Sequence, residues 1–397
     1  MTTETLTLAP TTEDGGHKLL HWLREMRDER PVWRDQYGMW HVFRYADVER
    51  VTSDPSLFSS NASRVVPSMS NIGEGVLNQI DPPLHRKLRR LVSQAFTPKV
   101  VAGLAPRIAE VTNQLLDATG GLDEWDIVTD LAYPLPVIVI AELLGLPTSD
   151  RQLFRAWADE IFDVMVGDPN DPEFVPRMEA AFVEMRAYMR EACLDRRARP
   201  RQDLISQLTV VEVDGERLTD NEVVSFSSLL LLAGHITTTA LLGNTVLCLD
   251  EYPEALVELH ADRSLVPAAV EEVLRYRSPI MSVTRVTTRE AELSGTVIPP
   301  DVFVAPWILS ANRDERVFAD PDRFDIHRSP KQQVAFGHGV HFCLGAPLAR
   351  LEARIAVNAL LDRFTEIRVD RVPGGPLDFY RNAIFAARSV PITARHV

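Results

Sequence analysis

The chain has 397 residues, 45% of them hydrophobic, which is ordinary for a globular protein and enough for a large core. Acidic residues outnumber basic ones, 56 to 42, and the net charge of −14 argues against nucleic acid as a partner. Three scattered cysteines exclude a disulfide scaffold, and no linker, low-complexity run or repeat divides the sequence, so one domain over 1–397 is expected.

Residues 1–16 are polar and acidic, without the basic and apolar regions of a signal peptide, so a cytoplasmic protein is expected. Apolar spacing predicts a helix over 17–29, and the aromatic and β-branched stretch 31–43 predicts a β-hairpin. The loop 59–79 is long and glycine-bearing, as a mobile lid would be. Helices are predicted over 83–96, 100–119, 133–144, 151–166 and 171–199, with proline and aspartate at the joins. A long helix over 219–249 opens with Thr219 and Glu222 in capping-box spacing. Its apolar run 223–249 has the length of a membrane span. Ser225, Ser227, Ser228, His235, Thr237, Thr238, Thr239 and Asn244 fit a buried central helix better, and no membrane contact is expected. Residues 265–277 read as a helix, 278–304 alternate like strands, 314–335 form an irregular segment, 346–364 read as a helix and 379–390 as a terminal hairpin. The class is mainly α with small β-sheets.

Cys343 stands in the run Phe336-Gly-His-Gly-Val-His341-Phe-Cys343-Leu-Gly345, directly before a helical pattern. A closed zinc site is hard to assemble from three cysteines with no CxxC and no HxxxH. Haem iron needs one axial protein atom, because the porphyrin supplies the equatorial four. Gly337, Gly339 and Gly345 let the backbone turn and aim amides at the sulfur, Phe336 can cover the ring face and His341 can reach a propionate. The following helix N-terminus and the iron favour a thiolate. The alternative is a buried structural cysteine in a glycine-rich turn.

This run resembles the haem-binding loop of the cytochrome P450 family at every position of its pattern, and further landmarks follow from about Asp81 to Arg350. The resemblance implies the P450 fold, with haem b (iron protoporphyrin IX) between a long central helix and the cysteine-loop helix, and Cys343 as axial ligand. Glu272-Val-Leu-Arg275 matches the ExxR motif, whose bidentate pair braces the cysteine loop against a meander matched by Asn312-Arg313-Asp314 and Pro321-Asp-Arg-Phe324. His85 and Arg89, four residues apart, Arg285 and His341 correspond to propionate ligands.

On the oxygen side the family pattern meets Ala233-Gly234-His235-Ile236-Thr237-Thr238. Ala233 and Gly234 would leave room for dioxygen, and Thr237 corresponds to the hydroxyl that steers proton delivery. Ile236 stands where the family carries an acid, so an ordered water chain, Thr238 or a substrate hydroxyl is expected to deliver protons; His235 faces away by about 100°. Substrate contacts are expected among Val65, Val66, Ile72, Val76, Leu77, Leu232, Ile236, Ile280, Met281, Val283, Ile384 and Phe385, most of which could equally be core. Arg86, Lys87, Arg89, Arg90, Arg328, Lys331, Arg350 and Arg354 could form a basic dock for a ferredoxin served by its reductase, or a solvated helix face. The expected function is a monooxygenase that hydroxylates or epoxidises a hydrophobic small molecule of the polyketide or macrolide kind. The alternatives are a peroxide-driven or rearranging haem-thiolate enzyme and a haem-based sensor.

Overall fold

In the computed structural model, which describes residues 9–69, 75–164, 171–329, 331–370, 377–380 and 383–397, a 32-residue helix, Asp220–Glu251, runs through the centre. Its sequence is apolar on nearly every side, so it is stable only when enclosed. Helices Pro134–Leu144, Phe174–Ala198, Val266–Tyr276 and Ala346–Arg363 pack around it. In its most apolar stretch 72% of the residues are buried inside the molecule, as in the core helix expected from its polar side chains. The expected capping box is present: Thr219 Oγ1 accepts from the Glu222 amide at 3.2 Å, and Glu222 Oε2 accepts from the Thr219 amide at 2.8 Å.

Proline sets several boundaries. Pro98, Pro134, Pro253 and Pro267 occupy first turns, where a missing N–H leaves no broken bond. The single helix expected over 100–119 is two, Pro98–Gly103 and Ala105–Ala118, because Pro106 cannot donate to the Ala102 carbonyl and its ring crowds it. Tyr45–Ser53 is a helix that local pattern did not mark. Its first amide, Tyr45 N–H, donates to Asp314 Oδ2 at 2.8 Å, a cap supplied from 269 residues away.

The stretch 278–304 divides into short strands, and a five-stranded sheet orders Val32–Arg34, Trp40–Val42, Phe303–Pro306, Arg285–Thr287 and Phe58–Ser59 side by side. All its pairings are antiparallel except Phe303–Pro306 with Trp40–Val42. This sheet brings Arg285 next to Ser59. The terminal hairpin expected over 379–390 is present in short form: the Tyr380 amide donates to the Ala386 carbonyl at 2.9 Å and the Arg388 amide to the Asp378 carbonyl at 2.6 Å. Among the described residues Phe379 bridges Ala387 and Ile280 bridges Ile384, and the last strand, Pro391–His396, pairs with Phe364–Val369 and Glu124–Asp126.

Candidate active site

The cysteine loop is shaped by its neighbours before any cofactor is considered. Gly339 adopts φ +66, and a Cβ there would lie 2.7 Å from Ser53 Cα, so this position must be glycine for the loop to seat against helix Tyr45–Ser53. Gly345, by contrast, has φ −79, open to any residue; its amide, with that of Ala346, points at the Cys343 sulfur. The Cys343 amide donates to the Phe336 carbonyl at 2.9 Å. Phe336 itself carries the Arg350 guanidinium 4.5 Å from its ring centre. Burial pushes the Cys343 thiol up, and the two amides with Arg89 and Arg350 oppose this without reversing it. The positive charge of a bound metal would oppose that burial and favour the thiolate.

The ExxR pair forms the brace expected of it. Glu272 and Arg275 are both fully buried and joined at 2.7 and 2.8 Å. The remaining guanidinium donors reach the carbonyls of Asn312, Pro321 and Arg323. Arg313 donates to the Tyr276 carbonyl and to Asp322, and Asn312 Oδ1 accepts from the Val334 amide at 2.7 Å, which carries the brace into the cysteine loop. With every donor occupied, this pair meets the condition under which a buried ion pair is tolerated.

Four nitrogen-bearing side chains converge beside the loop. The His85 and His341 rings lie 4.3 Å apart, and His341 Nε2 meets Ser60 Oγ at 2.9 Å. Arg89 donates to the Phe342 carbonyl at 2.8 Å, and Arg285 to the Thr284 carbonyl at 2.8 Å. Asp81 bonds the Ser60 amide at 2.8 Å and the Ser59 hydroxyl. Burial pulls Arg285 down to about 10, against the pull of Asp81. Burial and the neighbouring Arg285 pull His341 down to about 3, and burial with Arg89 lowers His85, whose two ring nitrogens have no partner. Desolvated donors that repel one another call for an anionic ligand.

On the central helix, Thr237 Oγ1 donates to the Ala233 carbonyl at 2.9 Å, and Ala233 is exposed beside it. Ile236 is 4% exposed and packs with Ala240, Tyr380, Ile384 and Ala386. His235 is buried against Tyr133, and burial lowers it to about 4, so it is neutral and turned away from Thr237. Thr238 points toward the cysteine helix, where its hydroxyl bonds the carboxyl of Glu352. Sequence reasoning missed Glu352. The signal was its place on the face shared with Leu348 and Ala356, all three buried, where an acid is out of pattern.

Residues 9–373 match the profile described as Cytochrome P450. The chain belongs to the cytochrome P450 family. Erythromycin C-12 hydroxylase of Saccharopolyspora erythraea is 48% identical over 378 residues, covering 95% of this chain and 94% of that protein. Cyclomarin C epoxidase CymV of Salinispora arenicola is 47% identical over 388 residues, covering 96% and 98%. A solved structure of a P450 EryK mutant in complex with erythromycin B aligns with TM-score 0.92 at 47% identity, covering 97% of this chain and 98% of that one. The fold is thus the P450 fold, and the chain is a haem-dependent monooxygenase of the kind that takes electrons from a redox partner and oxidises a hydrophobic substrate.

Several P450 expectations need correction in this chain. A Cβ at Gly234 would meet Ile140 Cγ1 at 3.0 Å, so this glycine permits the close approach of helix Pro134–Leu144. Leu77, Ile236, Met281, Ile384 and Phe385 have almost all their surface covered by protein neighbours. Phe385 is core, pressed on Phe379, with its carbonyl held by Asn244 at 2.7 Å. Val65, Val66, Val76, Leu232, Ile280 and Val283 keep partial exposure, and Ile72 lies outside the described residues. The basic dock is smaller than its residue count. Lys87 pairs with Glu216, Arg90 with Asp214, Arg350 with Glu271 and Arg328 with Glu272, because acidic partners on neighbouring elements lie within reach.

Proposed function

We propose that this P450 hydroxylates or epoxidises a hydrophobic natural product of the polyketide or macrolide kind. It would act in the cytoplasm, as one domain, with haem b and with a ferredoxin and its reductase as electron source. The observation that carries the reading is the meeting of Cys343 with His85, Arg89, Arg285 and His341, a sulfur ligand beside a donor cluster with too little negative charge of its own. The residues fit the cofactor: Cys343 would ligate its iron, His85, Arg89, Arg285 and His341 would hold the propionates, and Phe336, Gly337 and Gly345 would frame the sulfur. When bound, haem supplies dioxygen binding and its reductive activation.

The chain's own residues do the rest. Glu272, Arg275 and Arg313 hold the loop that presents the sulfur. Thr237, on the Ala233 carbonyl, would order protons on the oxygen side, with Thr238 beside it in sequence. Val65, Val66, Val76, Leu232, Ile280 and Val283 offer apolar surface that selects a hydrophobic ligand. The substrate class rests on the names of the similar hydroxylase and epoxidase.

The test is spectroscopic, then catalytic. The ferrous carbonyl spectrum should report thiolate ligation, macrolides should shift the Soret band, and a ferredoxin system should drive turnover. An imidazole-type spectrum would overturn the reading, and turnover with peroxide but none with ferredoxin would select the peroxide-driven alternative.

A further inference from the structure

The polar residues ahead of the first helix, His17–Glu29, stand outside the site described above, yet they form a defined turn. The Gly15 amide donates to the Thr12 carbonyl at 2.9 Å, and Asp14 accepts from the Gly16 and Lys18 amides at 3.1 Å each. Gly15 and Gly16 stand at φ +81 and +86, a left-handed pair that residues with a Cβ adopt only under strain. Thr12 is fully buried, and its hydroxyl donates to the Tyr380 carbonyl, 368 residues away.

The glycine reaches the same distant loop. A Cβ at Gly16 would lie 2.3 Å from Phe385 Cε2 and 2.7 Å from Cζ, so the bare backbone of this residue is the seat of the Phe385 ring. The loop passes the contact on. The Phe385 amide donates to the Pro279 carbonyl at 2.8 Å, and its neighbour Ile384 bridges Ile280. Tyr380 and Ile384 also enclose Ile236, one residue before Thr237. Ile280 packs against this cluster and is only partly buried, so it keeps apolar surface for a ligand. Close-packed side chains transmit a displacement from one to the next, and here the series runs from the first turn of the chain to a wall of the substrate site.

We propose that the turn Thr12–Gly16 determines substrate specificity by setting the position of the loop that carries Tyr380, Ile384 and Phe385, and through it the position of Ile280. The proposal rests on the P450 reading given above. Thr12 and Gly16 are positioning residues, since both act through the loop. A bulky apolar ligand feels them because it fills the space up to Ile280, whereas a small ligand held by the iron alone does not.

The test uses the full haem-loaded chain with Gly16→Ala, Gly15→Ala, Thr12→Val and the double variant Gly16→Ala with Phe385→Leu. Imidazole and the bulky azole clotrimazole both bond haem iron through a ring nitrogen, so the ratio of their dissociation constants, read from the Soret shift, isolates the wall from the iron. Gly16→Ala should weaken clotrimazole on the order of tenfold, as overpacking displaces the loop, and leave imidazole unchanged. Gly15→Ala is the matched control: it carries the same backbone strain, but its Cβ would meet nothing closer than 3.7 Å, and the ratio should stay that of wild type. Thr12→Val keeps the shape and loses the hydroxyl bond, and should weaken clotrimazole about threefold. Phe385→Leu should restore part of the ratio in the Gly16→Ala background, because the two sites are in direct contact. A ratio in Gly16→Ala equal to that in Gly15→Ala overturns the proposal. So does a wild-type ratio in Thr12→Val, which decides the matter should Gly16→Ala not fold. Failure of the P450 reading looks different, since neither azole would then shift a haem band in wild type.

Discussion

Glu271 and Arg350 form a two-point pair, Oε1 to Nε at 2.5 Å and Oε2 to Nη2 at 2.9 Å, between the ExxR helix and the cysteine helix. The same guanidinium lies over Phe336, so one side chain ties the start of the cysteine loop to the helix that ends it. Arg350→Ala should lower stability by about 1–2 kcal/mol, charge-assisted bonds discounted for partial exposure, and should speed haem loss. Arg350→Lys should recover less than half, since an ammonium cannot make the two-point contact. Urea unfolding midpoints and haem transfer to apomyoglobin measure both; an Ala variant equal to wild type would remove the tie.

Gly339→Ala should cost about 2 kcal/mol or more, because the left-handed backbone and the contact with Ser53 Cα act together. Gly103→Ala is the control. A Cβ there meets nothing within 4 Å, and the change should be neutral or slightly stabilising. Melting temperatures compare the two, and equal losses would show that the loop does not depend on its seat against helix Tyr45–Ser53.

Thr237→Ala should leave the carbonyl spectrum intact and divert electrons from product to peroxide, read as product and peroxide per NADPH. Ile236→Glu should not improve coupling. Its carboxyl would be placed among Ala240, Tyr380, Ile384 and Ala386, so it should cost about 1–3 kcal/mol and raise no product yield. Improved coupling would mean that position 236 reaches the proton path after all.

The raised Glu352 group has a defined signature in stability. Its folded value, about 8, lies above the ordinary 4.5, so between these limits the folded state holds a proton that the unfolded state has released. Stability then falls as pH rises through that window and levels off above about pH 8. The difference in unfolding free energy between wild type and Glu352→Gln should follow this course, by up to a few kcal/mol, while other titrations cancel. A difference flat from pH 5 to 8 would mean that the carboxyl is ionised throughout.

Much of the site was legible because its warrants are local. The spacing of Phe336, Gly337, His341, Cys343 and Gly345 lies within ten residues, and Thr219 with Glu222 announces the central helix from its own first turn. Glu272 and Arg275 needed the meander to acquire meaning, and their partners Asn312, Pro321 and Arg323 come from a distant segment. What stayed hidden depends on tertiary placement alone. No pattern says that Asp314 caps Tyr45–Ser53, that Glu271 meets Arg350, or that Gly234 faces Ile140. Phe385 and Ile384 looked like cavity wall because an apolar side chain has the same signature in wall and core.

The acidic turn around Asp214 and Glu216 has a bearing on traffic with other proteins. By holding Arg90 and Lys87 it leaves Arg86 and Arg354 as exposed cations on the two helices that flank the sulfur. If a redox partner docks on these helices, their few free charges give weak long-range steering, so reduction rates should change little as ionic strength rises. Electron carriers borrowed from unrelated bacteria should then serve this enzyme nearly as well as its native one.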